Sequence, residues 1–105
     1  MSFYNPSEHQ TQELFPGAIS RAFRGDKLHF LLSELAAGCV VTRHSHPQEQ
    51  AGIVLAGEVE VTIGDETRRV KTGEIYFIPA GVDHSMKVGD QPARALDVFS
   101  SLSNG

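Results

Sequence analysis

The chain has 105 residues, 40% hydrophobic and 21% charged, with a formal net charge of −4, a composition that suits one globular domain and excludes wholesale disorder. No apolar run approaches the ~20 residues of a membrane-spanning helix. No stretch concentrates lysine and arginine among aromatic residues, so neither nucleic acid nor an anionic membrane surface is an expected partner.

Residues 1–13 are polar and aperiodic, and are expected to be an arm that orders only against a partner subunit. Residues 1–10 carry no lysine or arginine and do not read as a secretory signal. The single cysteine, Cys39, cannot staple the chain to itself. Together these predict a cytoplasmic protein. Residues 100–105 are small and polar and are expected to fray, and everything between the two ends reads as one domain filling the chain 1–105.

From residue 18 onward the pattern has a period of two, with turn residues at short intervals. Strands are predicted over 18–24, 28–35, 39–43, 53–55, 58–63, 67–71, 75–78, 84–88 and 93–99. Ala56-Gly57 reads as the turn of a hairpin, as does Gly64-Asp65. Pro79-Ala80-Gly81 reads as a turn with φ preset by proline and freed by glycine. No segment has a helical period of ten or more residues. Many short strands at even spacing predict an all-β, double-sheet or closed antiparallel architecture.

The chemistry-bearing residues are histidines. His44 and His46 are two apart on an extended segment, so both imidazoles aim at the same side. Pro47 ends that strand, and a reversal over 47–49 would return the Gln50 amide to the same point. Glu49 is a rival donor, but on a strand it faces opposite to Gln50, so Gln50 is preferred. His84 opens the strand after the 79–81 turn and is expected from across the barrel. Three imidazole nitrogens and an amide oxygen suit a divalent first-row metal, and zinc, nickel, iron and manganese all accept such donors. His9 and His29 show no grouping. Cys39, by the alternation, faces away from the His44/His46 side and reads as a small buried apolar residue. Met86, two beyond His84, is expected on the histidine side. Tyr76 and Phe77 are adjacent, one facing in and one out.

Five residues separate Gly38 from His44, one separates His44 from His46, three separate His46 from Gln50, and six separate Gln50 from Gly57. This resembles the first motif of the cupin superfamily. Gly73, Pro79, Gly81 and His84 are similarly spaced to its second motif. The resemblance implies a double-stranded β-helix, a small six-stranded jelly-roll barrel, with the metal in its mouth and an open face for a small-molecule ligand.

The run His44-Ser-His46-Pro-Gln-Glu-Gln50, with Asp97-Val98-Phe99-Ser100, looks like a single-domain subgroup, the pectin-degradation proteins, which convert ring-form unsaturated uronates to linear ketones. That resemblance implies metal ligation by His44, His46, Gln50 and His84, and a catalytic role for Asp97 and Phe99. The chain departs from the pattern in three ways. Gln50 stands where cupins usually have glutamate. Val88 stands where they usually have asparagine. Ser101-Leu-Ser-Asn-Gly105 offers no counterpart to the subgroup's arginine, for which Arg21, Arg43 and Arg94 are candidate substitutes.

The neutral Gln50 leaves the full +2 on the metal, which favours Lewis-acid or acid/base work on an anionic molecule. A ferrous dioxygenase and a non-catalytic binding protein are the alternatives. A homodimer is expected, since a small barrel buries little surface alone.

Overall fold

The computed structural model describes residues 3–101. It is almost entirely β. A short 3₁₀ turn, Pro6–Glu8, is capped by the Asn5 side chain. Ten strands follow: β1 Gln12–Phe15, β2 Ala18–Arg24, β3 Leu28–Leu35, β4 Val40–His44, β5 Gln50–Ala56, β6 Glu58–Ile63, β7 Glu66–Lys71, β8 Ile75–Ile78, β9 His84–Val88 and β10 Ala93–Ser100.

All pairings are antiparallel. One sheet has six strands in the order β1-β2-β3-β10-β5-β8, and the other has four in the order β4-β9-β6-β7. The expected double-sheet architecture is therefore present, with ten strands rather than six.

Alternation decides which side chains fill the space between the sheets. Val54, Val59, Val61, Ile78, Val88 and Ala95 are inward and buried. Their outward neighbours Glu58, Glu60, Lys71 and Lys87 are exposed.

Three local expectations are corrected. The arm predicted over 1–13 ends early: Gln12 and Glu13 belong to β1 and pair with Ser20 and Ile19 of the same chain. The cause is Pro16-Gly17. Proline presets one turn position, and Gly17 takes φ +84°, which closes a hairpin between β1 and β2. At the other end Ser100 is the last residue of β10. Its amide and that of Ser101 donate to the carbonyls of Glu49 and Lys27. The rest of the predicted tail, 102–105, lies outside the described residues.

Gly57 makes no hairpin. β5 pairs only within the six-stranded sheet and β6 only within the four-stranded one, so the chain passes from one sheet to the other at this residue. Gly57 has φ +76°. A Cβ here would lie 2.6 Å from the Pro92 carbonyl oxygen. The close approach of the 92–93 backbone, not a hairpin turn, requires glycine. Gly64-Asp65 does form the expected two-residue hairpin, joining Ile63 to Glu66.

Candidate metal and acid-base site

Each histidine is fixed by its own backbone surroundings. His44 ends β4, and its Nδ1 lies 2.8 Å from the Thr42 carbonyl oxygen. His46 follows in the crossing segment, with Nδ1 3.0 Å from the Gln48 carbonyl oxygen. His84 opens β9, with Nδ1 2.9 Å from the Val82 carbonyl oxygen. A carbonyl only accepts, so Nδ1 carries the proton in all three rings. Every Nε2 is left with a lone pair, as a metal ligand requires.

The three rings converge. Candidate ligand atoms of His44, His46 and His84 lie within 4.8 Å of one another. His84 Nε2 is buried without a hydrogen-bond partner. Burial lowers the pKa of His84, as do its two histidine neighbours, while the Val82 carbonyl and the Asp83 charge oppose; the net shift is downward and favours the neutral ring.

The route to this geometry differs from the expected one. His84 does not arrive from across the barrel: it is the register partner of His44 on the neighbouring strand of the same sheet. The Gly81 amide donates to the His46 carbonyl at 2.9 Å, which ties the 79–81 turn to the histidine segment. It is Gln50, on β5, that comes from the opposite sheet. Its Oε1 sits 3.0 Å from His46 Nε2, and its Nε2 donates to Asp97 Oδ1 at 3.0 Å.

That second bond fixes which way the amide points. Gln50 oxygen and His46 nitrogen then face each other with lone pairs on both sides. A cation between them resolves the conflict, so the donor set fits a divalent metal held by His44, His46, His84 and Gln50. Glu49 is exposed, and its backbone is clamped to Ser100 instead.

Asp97 lies next to these donors on β10, 5% exposed. Its Oδ1 also accepts from the Tyr76 hydroxyl at 2.6 Å. Burial raises the Asp97 carboxyl above its ordinary range, while the Tyr76 and Gln50 hydrogen bonds pull the other way. Burial and the Asp97 charge raise the Tyr76 phenol as well, so Tyr76 stays a donor. Phe99 stands two residues on, its ring centroid 5.6 Å from that of His46.

Of the adjacent pair Tyr76 and Phe77, Tyr76 is the one that faces in, 5% exposed against 66%; its partnership with Asp97, and the part Gly52 plays in it, were not read from the sequence. Asp97, Gly52 and Tyr76 are register partners across β10, β5 and β8. Tyr76 reaches Asp97 over the middle strand, and a Cβ on Gly52 would overlap both side chains. A glycine inside a strand pattern is the available signal for such a close approach. Gly52→Ala is expected to break the Tyr76–Asp97 bond and cost about 1–3 kcal/mol of stability. Chemical denaturation of the variant checks this, and wild-type stability would contradict it.

The histidines, Gln50, Asp97 and Phe99 share one cavity of about 170 Å³ with Met86, Val41, Phe15 and a patch of β2 and β3 side chains. Met86 is on the histidine side as expected. Cys39 is buried in the apolar core, and burial raises its thiol pKa, which keeps it unreactive. The expected opposition of Cys39 to the histidines fails, because the pairing of β4 with β9 is irregular between Val41 and His44. Val41, in phase with Cys39, therefore lines the same cavity as His44.

No lysine or arginine is among the described lining residues. Arg43 pairs with Asp83 at 3.6 Å and donates to the Gly64 carbonyl. Arg94 pairs with Glu34 at 3.2 Å. Arg21 follows Ser20, which lines the cavity, and so lies on the other face of β2. None of the three stands in for the subgroup's arginine.

Known proteins resemble this chain in sequence and in fold. An uncharacterized protein of Streptomyces coelicolor is 32% identical over 84 residues, 80% of each chain. The pectin degradation protein KdgF of Dickeya dadantii is 32% identical over 76 residues, 71% of this chain and 69% of its own. The solved structure of KdgF from Halomonas sp. superimposes with a TM-score of 0.88 at 26% identity, covering 99% of this chain and 96% of that one. The Cupin domain family matches residues 31–99, a span that holds both histidine strands, Gln50 and the Asp97–Phe99 pair, and the chain belongs to that family.

Proposed function

We propose that this protein is a metal-dependent enzyme that isomerises a small anionic sugar acid by acid-base chemistry, converting ring-form unsaturated uronates to linear ketones. The observation that carries the reading is the buried Asp97 carboxyl. Tyr76 Oη and Gln50 Nε2 hold it in the same small cavity as three histidines whose Nε2 lone pairs are unspent. The likeness to KdgF proteins supports the substrate class.

His44, His46, His84 and Gln50 would hold the metal, which would supply Lewis-acid polarisation of a ligand oxygen without change of oxidation state. Opening the sugar's hemiacetal leaves an enol, and a proton must then leave oxygen while another is added to carbon. In this reading the Asp97 carboxylate takes the proton that leaves oxygen and, as the acid, delivers one to carbon, its raised pKa bringing it nearer to the working pH. Tyr76, always protonated, orients the carboxylate. Phe99 closes the wall beside His46. The absence of a lysine or arginine among the described lining residues directs the substrate's charge to the histidine end.

The test is to load the protein with zinc, nickel, iron or manganese and follow the ultraviolet absorbance of unsaturated uronates. Absorbance is expected to fall with at least one metal and without oxygen uptake. Constant absorbance across the panel would contradict the reading, and oxygen consumption would favour the dioxygenase.

The working unit in this reading is a homodimer. Ile75 and Phe77 are 60% and 66% exposed on the outer face of β8, the edge strand of the six-stranded sheet. Such a patch favours association. Sedimentation at micromolar concentration is expected to give a dimer that Phe77→Asp dissociates. A wild-type monomer would contradict it.

A further inference from the structure

We propose that Ser20 and Ser33 form a second anchor point in the cavity, one that takes a neutral hydroxyl of a short anionic ligand whose charged oxygen lies at the histidine end. This rests on the reading above and adds to it the second polar group that the ligand must carry.

Ser20 on β2 and Ser33 on β3 are register partners. They are 2% and 6% exposed, and both line the cavity that holds the histidines. Inward positions on either side of them are apolar: Ala18 and Leu35 in one direction, Leu31 in the other. Two hydroxyls facing each other in an otherwise apolar wall are not what packing alone selects. Replacing both partners of such a bond with small apolar groups is close to neutral for stability.

The chemistry of the pair defines what it recognises. The two Oγ atoms are 2.8 Å apart, so one hydroxyl donates to the other. That bond uses one of two O–H donors and leaves the second, together with oxygen lone pairs. A group that both donates and accepts matches this, and an alcohol does.

A second carboxylate does not match, because no cation is among the described lining residues to receive it. Leu14, Phe15, Leu31, Val41 and Met86 supply the apolar wall of the cavity. The cavity volume of about 170 Å³ suits a small ligand. The ligand class is thus a short hydroxy acid, or a sugar acid presenting one hydroxyl to this wall.

The experiment titrates zinc-loaded protein with straight-chain carboxylates of three to six carbons and with their ω-hydroxy counterparts. At one chain length the hydroxy acid is expected to bind about tenfold more tightly than the plain acid. In the Ser20→Ala/Ser33→Ala double variant that preference is expected to vanish, with the plain acid's affinity and the zinc content unchanged. Ser33→Ala alone is expected to weaken the preference in the same direction. Plain-acid binding without a hydroxyl preference in the wild type, or a preference that survives in the variants, overturns the serine anchor alone. Failure of both series to bind the wild type overturns the anchor together with the reading of a carboxylate at the histidines.

Discussion

Asp97→Asn is expected to lower uronate turnover by about 10²–10⁴-fold while leaving the fold and the metal content intact. The amide oxygen of asparagine can still accept the Tyr76 hydroxyl, so the bond across Gly52 survives. What is lost is the ability to hold and release a proton beside the histidine cluster.

The effect on stability has a defined sign. Burial raises the Asp97 carboxyl's pKa in the folded protein. Between the unfolded value, about 3.9, and that raised value, the folded state binds more protons than the unfolded one, and stability falls as pH rises. The asparagine variant escapes this cost. Its melting temperature relative to wild type is expected to climb from pH 4 toward neutrality. Measuring kcat and melting temperature on one preparation separates the roles. Retained turnover contradicts a proton-transfer role, and a variant that is increasingly destabilised toward neutral pH contradicts the assigned pKa direction.

His46→Ala is expected to remove the metal and with it all measurable turnover. His46 faces both sides of the site: its Nδ1 is tied to the Gln48 carbonyl, and its Nε2 faces Gln50 Oε1. Truncation deletes one ligand and leaves the Gln50 oxygen without its counterpart. Metal analysis after gel filtration is expected to fall from about one ion per chain to near none. The thermal stabilisation of wild type by added metal, about 4 kcal/mol at a thousandfold excess over Kd, is expected to disappear as well. Circular dichroism should remain that of a β protein, because His46 lies outside the strands. A variant that keeps stoichiometric metal would contradict the ligand assignment.

The strands were legible because alternation and turn residues are local. So was the cluster of donors, because His44, His46 and Gln50 are close in sequence; Glu49 lies just before β5 and is exposed, whereas Gln50 is buried. What could not be read was which strands pair. Ala56-Gly57 has the composition of a hairpin turn, yet the chain changes sheets there, and only the approach of the Pro92 backbone explains the glycine. For the same reason His84 was expected opposite His44 rather than beside it.

Phase was the second blind spot. The irregular pairing between Val41 and His44 breaks a period of two that the sequence presents as continuous. Tyr76 and Phe77 are equally apolar in a local pattern. The choice between them is made by Gly52 on β5, which leaves room for a phenol to reach Asp97. Pro16-Gly17 was a readable signal for β1, masked by the polar residues before it.

The whole account depends on one cation shared by donors from both sheets. Anomalous diffraction from crystals of the metal-loaded protein tests this most directly. It is expected to give a single peak about 2.0–2.2 Å from the Nε2 atoms of His44, His46 and His84, with Gln50 Oε1 turned toward it. A peak elsewhere, or no peak from crystals grown in excess metal, would contradict it.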